Sequence, residues 1–292
     1  MPHRFISLKE REYPPLLREI QDPPEGLYIK GELSSPTKPS LSVVGTRKAS
    51  KEGIRIAEEF SERLVRMGVV IVSGLAMGID TAAHKGSLRA GGITVAVLGT
   101  SIDKIYPVFN TALAEEIVKN KGAVISEYSP DEPSYKGNFL KRNRIISGLS
   151  GATLVIEAPE RSGSLATARF AAEQGREVFV VPGPIRDSNY KGSHGLIRDG
   201  ATLVASPEEI AEDMGWKEVG EPIHKESSAL TSISTEEALV IEVFRDEGTP
   251  LKVDKIIELT KLEPRMVNVG LASLTIKGLV VEEATGYKLK KL

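Results

Sequence analysis

Short, nearly unbroken apolar runs recur from residue 40 onward: Leu41 to Val44, Val69 to Val72, Thr94 to Leu98, Ala123 to Ser126, Thr153 to Ile156 and Val178 to Val181. They are rich in Val and Ile and alternate little with polar residues, the pattern of parallel strands covered on both faces. Between them the spacing changes. Ile54, Ala57, Phe60, Leu64 and Val65 recur at helical intervals, which predicts a helix over residues 51 to 67. Strand and helix in alternation predict an α/β domain built on a doubly wound, mostly parallel sheet. A strand near Thr202 to Val204 and a helix from Pro207 close this domain, which spans residues 40–216.

Residues 1–39 form a lead-in punctuated by Pro14-Pro15, Pro23-Pro24, Pro36 and Pro39, expected to pack on the core. Its middle, Gly26 to Gly31, reads as a short edge strand. Residues 217–232 carry Gly220, Pro222 and the polar run Lys225-Glu226-Ser227-Ser228, the composition of a linker. Periodicity resumes over residues 233–292. Helices are expected at Thr235 to Asp246, Val253 to Thr260 and Pro264 to Lys277, then strands at Leu279 to Glu282 and Tyr287 to Leu289. Three helices and a hairpin of this size predict a small winged-helix-like domain.

The chain has 292 residues and a formal net charge of −2, so a nucleic-acid site would have to be a local patch rather than a basic coat. It has no cysteine, which excludes disulfides, thiolate catalysis and cysteine-based zinc sites. The N-terminus has no signal-peptide pattern and no stretch approaches the ~20 apolar residues of a membrane span, so a cytoplasmic location is expected. From Ala229 to Leu292 there are nine Lys and Arg against ten Asp and Glu, a net charge of −1. That balance favours a protein-contact or supporting role for the last domain over a grip on duplex phosphates.

In an open parallel sheet, ligands bind beyond the carboxyl ends of the strands. After the first strand comes Gly45-Thr46-Arg47-Lys48-Ala49-Ser50, opening a helix. A glycine turn, a helix N-terminus and a forked guanidinium suit an anion. The plainer reading is a tight turn with a surface arginine. After the second comes Ser73-Gly74-Leu75-Ala76-Met77-Gly78-Ile79-Asp80, either a backbone nest or packing glycines. After the fifth come Glu157 and Ser162-Gly163-Ser164-Leu165-Ala166-Thr167; after the sixth, Pro182-Gly183-Pro184. The turns match neither the GxGxxG fingerprint nor a Walker A loop.

The stretch Tyr135-Lys136-Gly137-Asn138-Phe139-Leu140-Lys141-Arg142-Asn143-Arg144 interleaves rings with cations and holds no acidic residue. Basic groups track a phosphate backbone and a ring stacks on an unpaired base. A solvated helix face with Phe139 in the core fits the composition equally well. Catalytic patterns are sparse. His3, His84, His194 and His224 show no metal-ligand spacing, and no GxSxG elbow occurs. Asp80 and His84 are placed to pair on a helix surface. Glu127 and Glu157 end strands, where a carboxylate can act as a base, cap a helix or bind a hydroxyl.

Taken together, Ser42-Val43-Val44-Gly45-Thr46-Arg47, Ser73 to Asp80, Arg142 to Ser150, Ser162 to Thr167, Val181-Pro182-Gly183 and Gly195 to Ala201 resemble, in this order, the DNA-processing protein A (DprA/Smf) family. The similarity runs from about Tyr13 to Met214, and the tail resembles the winged helix of many members. The resemblance implies an extended Rossmann-like fold that binds single-stranded DNA without a nucleotide cofactor or metal and is not an enzyme. It implies a homodimer that protects incoming strands and helps load the RecA recombinase in natural transformation and recombination. Carried over residue by residue, it implies phosphate contact at Arg47 within Gly45-Thr46-Arg47. It implies a lysine and a stacking ring at Lys136 and Phe139, flanking Asn138, a basic motif at Arg142, Asn143 and Arg144, and a small-residue loop at Gly163 and Ser164.

Leu140 stands where the family often has proline, and His194 where it usually has asparagine. The extra N-terminal helical domain of many members has no counterpart in the sequence, so its interactions are expected to be absent. Two alternatives stand beside this reading. One is a nucleotide phosphoribohydrolase on a related fold, although Glu160 to Thr167 lacks the double glycine and following glutamate of that group. The other is a duplex-DNA regulator led by the winged helix.

Overall fold

Seven strands of a nine-stranded sheet run parallel and two antiparallel strands extend one side of it, in the order β1-β2-β6-β5-β4-β3-β7-β8-β9. The strands are β1 (Arg4–Ser7), β2 (Gly26–Gly31), β3 (Ser40–Val44), β4 (Val70–Ser73), β5 (Thr94–Leu98), β6 (Ala123–Ser126), β7 (Ala152–Val155), β8 (Glu177–Val180) and β9 (Thr202–Leu203). Around them lie α1 (Pro15–Arg18), α2 (Lys51–Arg66), α3 (Ile79–Arg89), α4 (Thr111–Lys119), α5 (Lys136–Gly148), α6 (Gly163–Glu173), α7 (Lys191–Arg198) and α8 (Pro207–Asp213). This computed structural model describes residues 3–33, 38–216, 235–247, 249–276, 279–283 and 286–289. The chain separates into two compact units, Met1–Gly220 and Glu221–Leu292. The expected linker, 217–232, lies outside the described residues.

The strands read as continuous apolar runs because both faces are covered. Leu41 and Val43 face Ala57, Phe60 and Leu64 of α2 in one layer. Val44, Val72 and Val95 turn the other way and meet Ile145 and Ile146 of α5. Each fully buried Leu or Phe contributes about 1.5–3 kcal/mol by leaving water.

The lead-in corrects one expectation. Gly26–Gly31 is not an edge strand: it pairs antiparallel with β6, Tyr28 opposite Ser126, and β1 covers its outer side. Ile6, Leu27 and Ile29 carry the reason, each buried in the layer shared with α5. Tyr13 and Leu17 anchor the turn between the two strands, the Tyr13 hydroxyl donating to the Pro24 carbonyl at 2.9 Å.

Chain order reverses about β3. From there β4, β5 and β6 step to one side, and β7, β8 and β9 to the other. The carboxyl ends of β3 and β7 therefore diverge into connections on opposite faces, opening a crevice between them.

The second unit holds α9 (Thr235–Glu247), α10 (Val253–Thr260), α11 (Pro264–Ile276) and a hairpin, β10 (Val280–Glu283) with β11 (Gly286–Leu289). Val240, Phe244, Ile256, Val267, Leu271 and Leu274 form its core, and Leu251 pairs with Tyr287. Among the described residues no helix is long and apolar enough to cross a membrane.

Candidate functional site

A crevice of about 370 Å³ lies at the switch point. Its floor begins at Gly45 and Thr46, directly beyond β3. A side chain at residue 45 would put its Cβ 2.4 Å from Ile79 Cγ1, so the glycine lets the turn pass close to α3. Thr46 N–H donates to the Glu157 carbonyl at 2.7 Å, tying the β3 turn to the chain leaving β7. Arg47 is thrown outward and stays exposed.

The amino end of α2 is not open to an anion, contrary to the expectation for this loop. Ser50 Oγ accepts from Gly53 N–H at 2.9 Å. The Glu157 carboxylate accepts from Ser50 N–H at 2.9 Å and from the Ser50 hydroxyl. The chain thus supplies its own anion there. What remains for a ligand is the Gly45-Thr46-Arg47 turn itself.

Helix α5 forms the opposite wall. Lys136, Phe139, Arg142 and Asn143 recur at i, i+3, i+6 and i+7, so they share a face, and all four line the crevice. Asn143 Nδ2 donates to the Gly163 carbonyl at 3.1 Å, setting α5 against the start of α6. There Gly163 and Ser164 line the crevice beside Arg161, with Ser162 as the helix cap.

Phe139 is half-buried. Its ring sits 5.4 Å from the Tyr106 ring, and the Arg47 guanidinium lies 5.7 Å from its centroid. A Cβ at Gly99 would come within 2.8 Å of the Phe139 ring, so a glycine below lets the ring settle.

Arg142 is buried in the floor. It donates to the Gly74 carbonyl at 2.6 Å and to the Val97 carbonyl, joining the loop beyond β4 to the end of β5. Burial lowers its pKa to about 10, which the nearby Asp80 charge opposes and Arg47 reinforces. It therefore keeps its charge at neutral pH, beneath the exposed Arg47 and Lys136.

Two expected site residues fall elsewhere. Asn138 does not line the crevice. Arg144 turns to the far side of α5, where it meets Asp22 at 2.9 Å and Glu127 at 2.8 Å and is 5% exposed. Burial works against its charge, but the two carboxylates outweigh burial and hold its pKa above the usual arginine range. A phosphate would have to displace both partners to reach it.

The carboxylates weighed as bases are likewise occupied. Glu127 is bound to Arg144, with Lys141 at 3.6 Å, and Glu157 caps α2 and accepts from the Tyr190 hydroxyl at 3.2 Å. Asp80 and His84 do not pair on a helix surface. Both are buried, because α3 is covered by α2 and by the sheet. Asp80 accepts from Gly74 N–H at 3.1 Å and Ala76 N–H at 3.3 Å, whereas His84 meets Thr94 at 2.7 Å. Burial raises the Asp80 carboxyl, against the Arg142 charge. His194 reaches the Gly183 carbonyl at 3.0 Å beside the Tyr190 ring, so the departure from asparagine is absorbed by a local bond.

The sequence reading did not single out Arg161 or Tyr106. Arg161 could have been found from its place one residue before the α6 cap. Tyr106 sits in a long connection whose fold carries no periodic signal.

The fold and this crevice define an extended Rossmann-like protein with an open, cation-walled site at the switch point of its sheet. More particularly, the chain belongs to the DNA recombination-mediator protein A family, whose model matches residues 4–215. It is 41% identical over 289 residues to Protein Smf of Escherichia coli, covering 98% of this chain and 77% of that protein. It is 46% identical over 205 residues to DNA processing protein DprA of Streptococcus pneumoniae, covering 70% and 72% of the two chains. The X-ray structure of the Streptococcus pneumoniae protein superposes with a TM-score of 0.68 at 43% identity, over 73% of this chain and 75% of that one. A structure of DNA processing protein A from Helicobacter pylori, described for its single-stranded-DNA binding mode, superposes with a TM-score of 0.66 at 28% identity, over 73% and 96%.

Proposed function

We propose that the crevice holds single-stranded DNA. The observation that carries this reading is the pair at its wall: an aromatic ring, half exposed, under an exposed guanidinium. Phosphates follow the Gly45-Thr46-Arg47 turn, Lys136, Arg161 and the Gly163-Ser164 loop, and a base lies against Phe139. Nine of the eleven expected residues line this one crevice, namely Gly45, Thr46, Arg47, Lys136, Phe139, Arg142, Asn143, Gly163 and Ser164. The binding mode described for the Helicobacter pylori protein supports the choice of ligand.

The finer role is protection of incoming single strands and help in loading the RecA recombinase during natural transformation and recombination, by a cytoplasmic homodimer. The action is non-enzymatic. In support, Glu127 and Glu157 are bound within the fold, leaving neither to serve as a base. The Glu221–Leu292 unit, whose order of elements suits a winged helix, serves partner contact or support, in keeping with its small net charge.

Fluorescence anisotropy of labelled single-stranded and duplex oligonucleotides, titrated with salt, tests the reading. The expected result is preference for the single strand, with Arg47→Ala weakening it. Equal binding of duplex, or an Arg47→Ala protein that binds as well as the parent, refutes it. Removing residues beyond 228 should largely spare single-strand binding; its abolition would return the role to a duplex-reading winged helix.

A further inference from the structure

Arg47 and Phe139 stand between two hollows. On one side is the crevice. On the other is a shallow recess of about 30 Å³ whose wall also includes Met77, Tyr106 and Pro107. Arg47, Ala76, Phe139 and Arg142 border both, so Arg47 and Phe139 form a ridge over the buried Arg142 with a depression on either side. The ridge is poorly suited to receive two bases by itself. The Phe139 ring already has the Arg47 guanidinium over it, Tyr106 tilted at 58° beside it and Gly99 beneath it.

Beyond the ridge the surface is open and apolar. Tyr106 is 52% exposed and Met77 44%. Val108 and Phe109 continue the exposed strip. A phenol ring, a thioether and a proline make a soft, uncharged shelf, which fits a heterocycle better than a phosphate. Arg47 at the shelf's edge supplies the charge for the backbone.

We propose that this shelf is a second base subsite. Resting on the single-strand reading above, the inference is that a strand crosses the Arg47–Phe139 ridge with one base in the crevice and the next stacked on Tyr106. Neither contact reads base edges, so the pair of subsites accepts unpaired nucleobases as a class. A duplex would be excluded, since its bases stay stacked on each other.

The test uses the full chain with Tyr106→Ala, Tyr106→Phe and Tyr106→Trp, each against an oligothymidine and an all-abasic oligomer of equal length. Tyr106→Ala should weaken oligothymidine binding roughly tenfold, the scale of one lost base–ring stack. It should leave the abasic oligomer unaffected. Tyr106→Phe should bind as the parent, and the Tyr106→Trp indole should be quenched by oligothymidine but not by the abasic oligomer.

A Tyr106→Ala/Phe139→Ala double variant separates a subsite from a prop. Losses that multiply place a base on each ring. A double variant no weaker than Phe139→Ala alone means that Tyr106 only steadies its neighbour, and overturns the proposal. Should Tyr106→Ala fail to fold, the quenching arm decides, and an indole indifferent to oligothymidine overturns it. If the parent binds single strands and Arg47→Ala weakens it while Tyr106→Ala does not, the second subsite alone is lost. If the parent does not bind, the broader reading fails with it.

Discussion

Arg142 and Arg144, two residues apart on α5, send their guanidinium groups to opposite sides of the helix. Arg142 reaches the Gly74 and Val97 carbonyls under the crevice, and Arg144 reaches Glu127 and Asp22 against the lead-in. Two residues of α-helix amount to about 200° of rotation, so neighbours in the sequence motif serve different surfaces.

Arg144→Met should therefore destabilise the fold rather than weaken DNA binding. It strands Glu127, 8% exposed, with Lys141 left beside it at 3.6 Å, and losing one partner of a buried pair costs roughly 3 kcal/mol. Urea unfolding should show that loss, while anisotropy on the folded variant should stay within about twofold of the parent. An Arg144→Met protein of parental stability that has lost DNA affinity would assign Arg144 to the interface instead.

Phe139→Ala should weaken single-strand binding by about 1–3 kcal/mol, and Phe139→Trp should retain it, because the ring face and not its identity does the stacking. Titration of both variants against the same oligonucleotide distinguishes a stacking ring from a core residue. A core role would lower the unfolding midpoint and leave affinity unchanged.

Arg47→Ala should reduce the slope of log K against log salt by about 0.7, the value for one phosphate contact on a single strand. Lys136→Ala should do the same. A variant whose affinity falls at every salt concentration with an unchanged slope has lost something other than a phosphate.

Glu157→Gln should be less stable by about 1.5–3 kcal/mol, since it exchanges a charged acceptor for a neutral amide at the Ser50 cap. Its single-strand affinity should persist. Release of free base from a nucleoside monophosphate by the parent, abolished in Glu157→Gln, would revive the hydrolase.

His84 makes stability depend on pH. Thr94 Oγ1 gives its own hydrogen to the Ile71 carbonyl at 2.8 Å, so it accepts from His84 Nδ1–H, and Nε2 is left without a partner among the described residues. Burial, reinforced by Arg142, pushes the imidazole down to about 3. Below the unfolded value of ~6.5, the unfolded chain takes up a proton that the folded chain refuses. The stability present above that pH is lost as pH falls towards 3, by about 2 kcal/mol between pH 6.5 and 5. Urea unfolding at those two pH values should show the fall, and His84→Asn, which can keep a donor towards Thr94, should flatten it.

The parallel strands were legible because burial on both faces leaves a continuous apolar run, and all seven were anticipated to within a residue. The antiparallel extension was not. The partner of β2 is β6, some hundred residues away in the chain, and no local pattern encodes so distant a pairing. The crevice was legible as a set of turns following strands, since parallel topology gathers those turns at one end. What was missed depends on rotation about a helix or on a connection without periodicity. Helix α5 sorts Arg142 from Arg144 by angle, and Tyr106 is delivered by the connection between β5 and α4. Glu157 misled in a third way. A carboxylate at a strand end signals chemistry or capping equally, and only the bonds to Ser50 decide for capping.

The two-sided fastening of α5 also bears on how the site meets its ligand. With one flank held to backbone carbonyls by Arg142 and the other to carboxylates by Arg144, rolling the rod about its axis or sliding it would break those bonds. Adjustment to purine or pyrimidine must then fall to the polynucleotide, whose torsions are soft. A stiff receptor facing a pliable guest is an arrangement in which base order can vary without the protein changing shape.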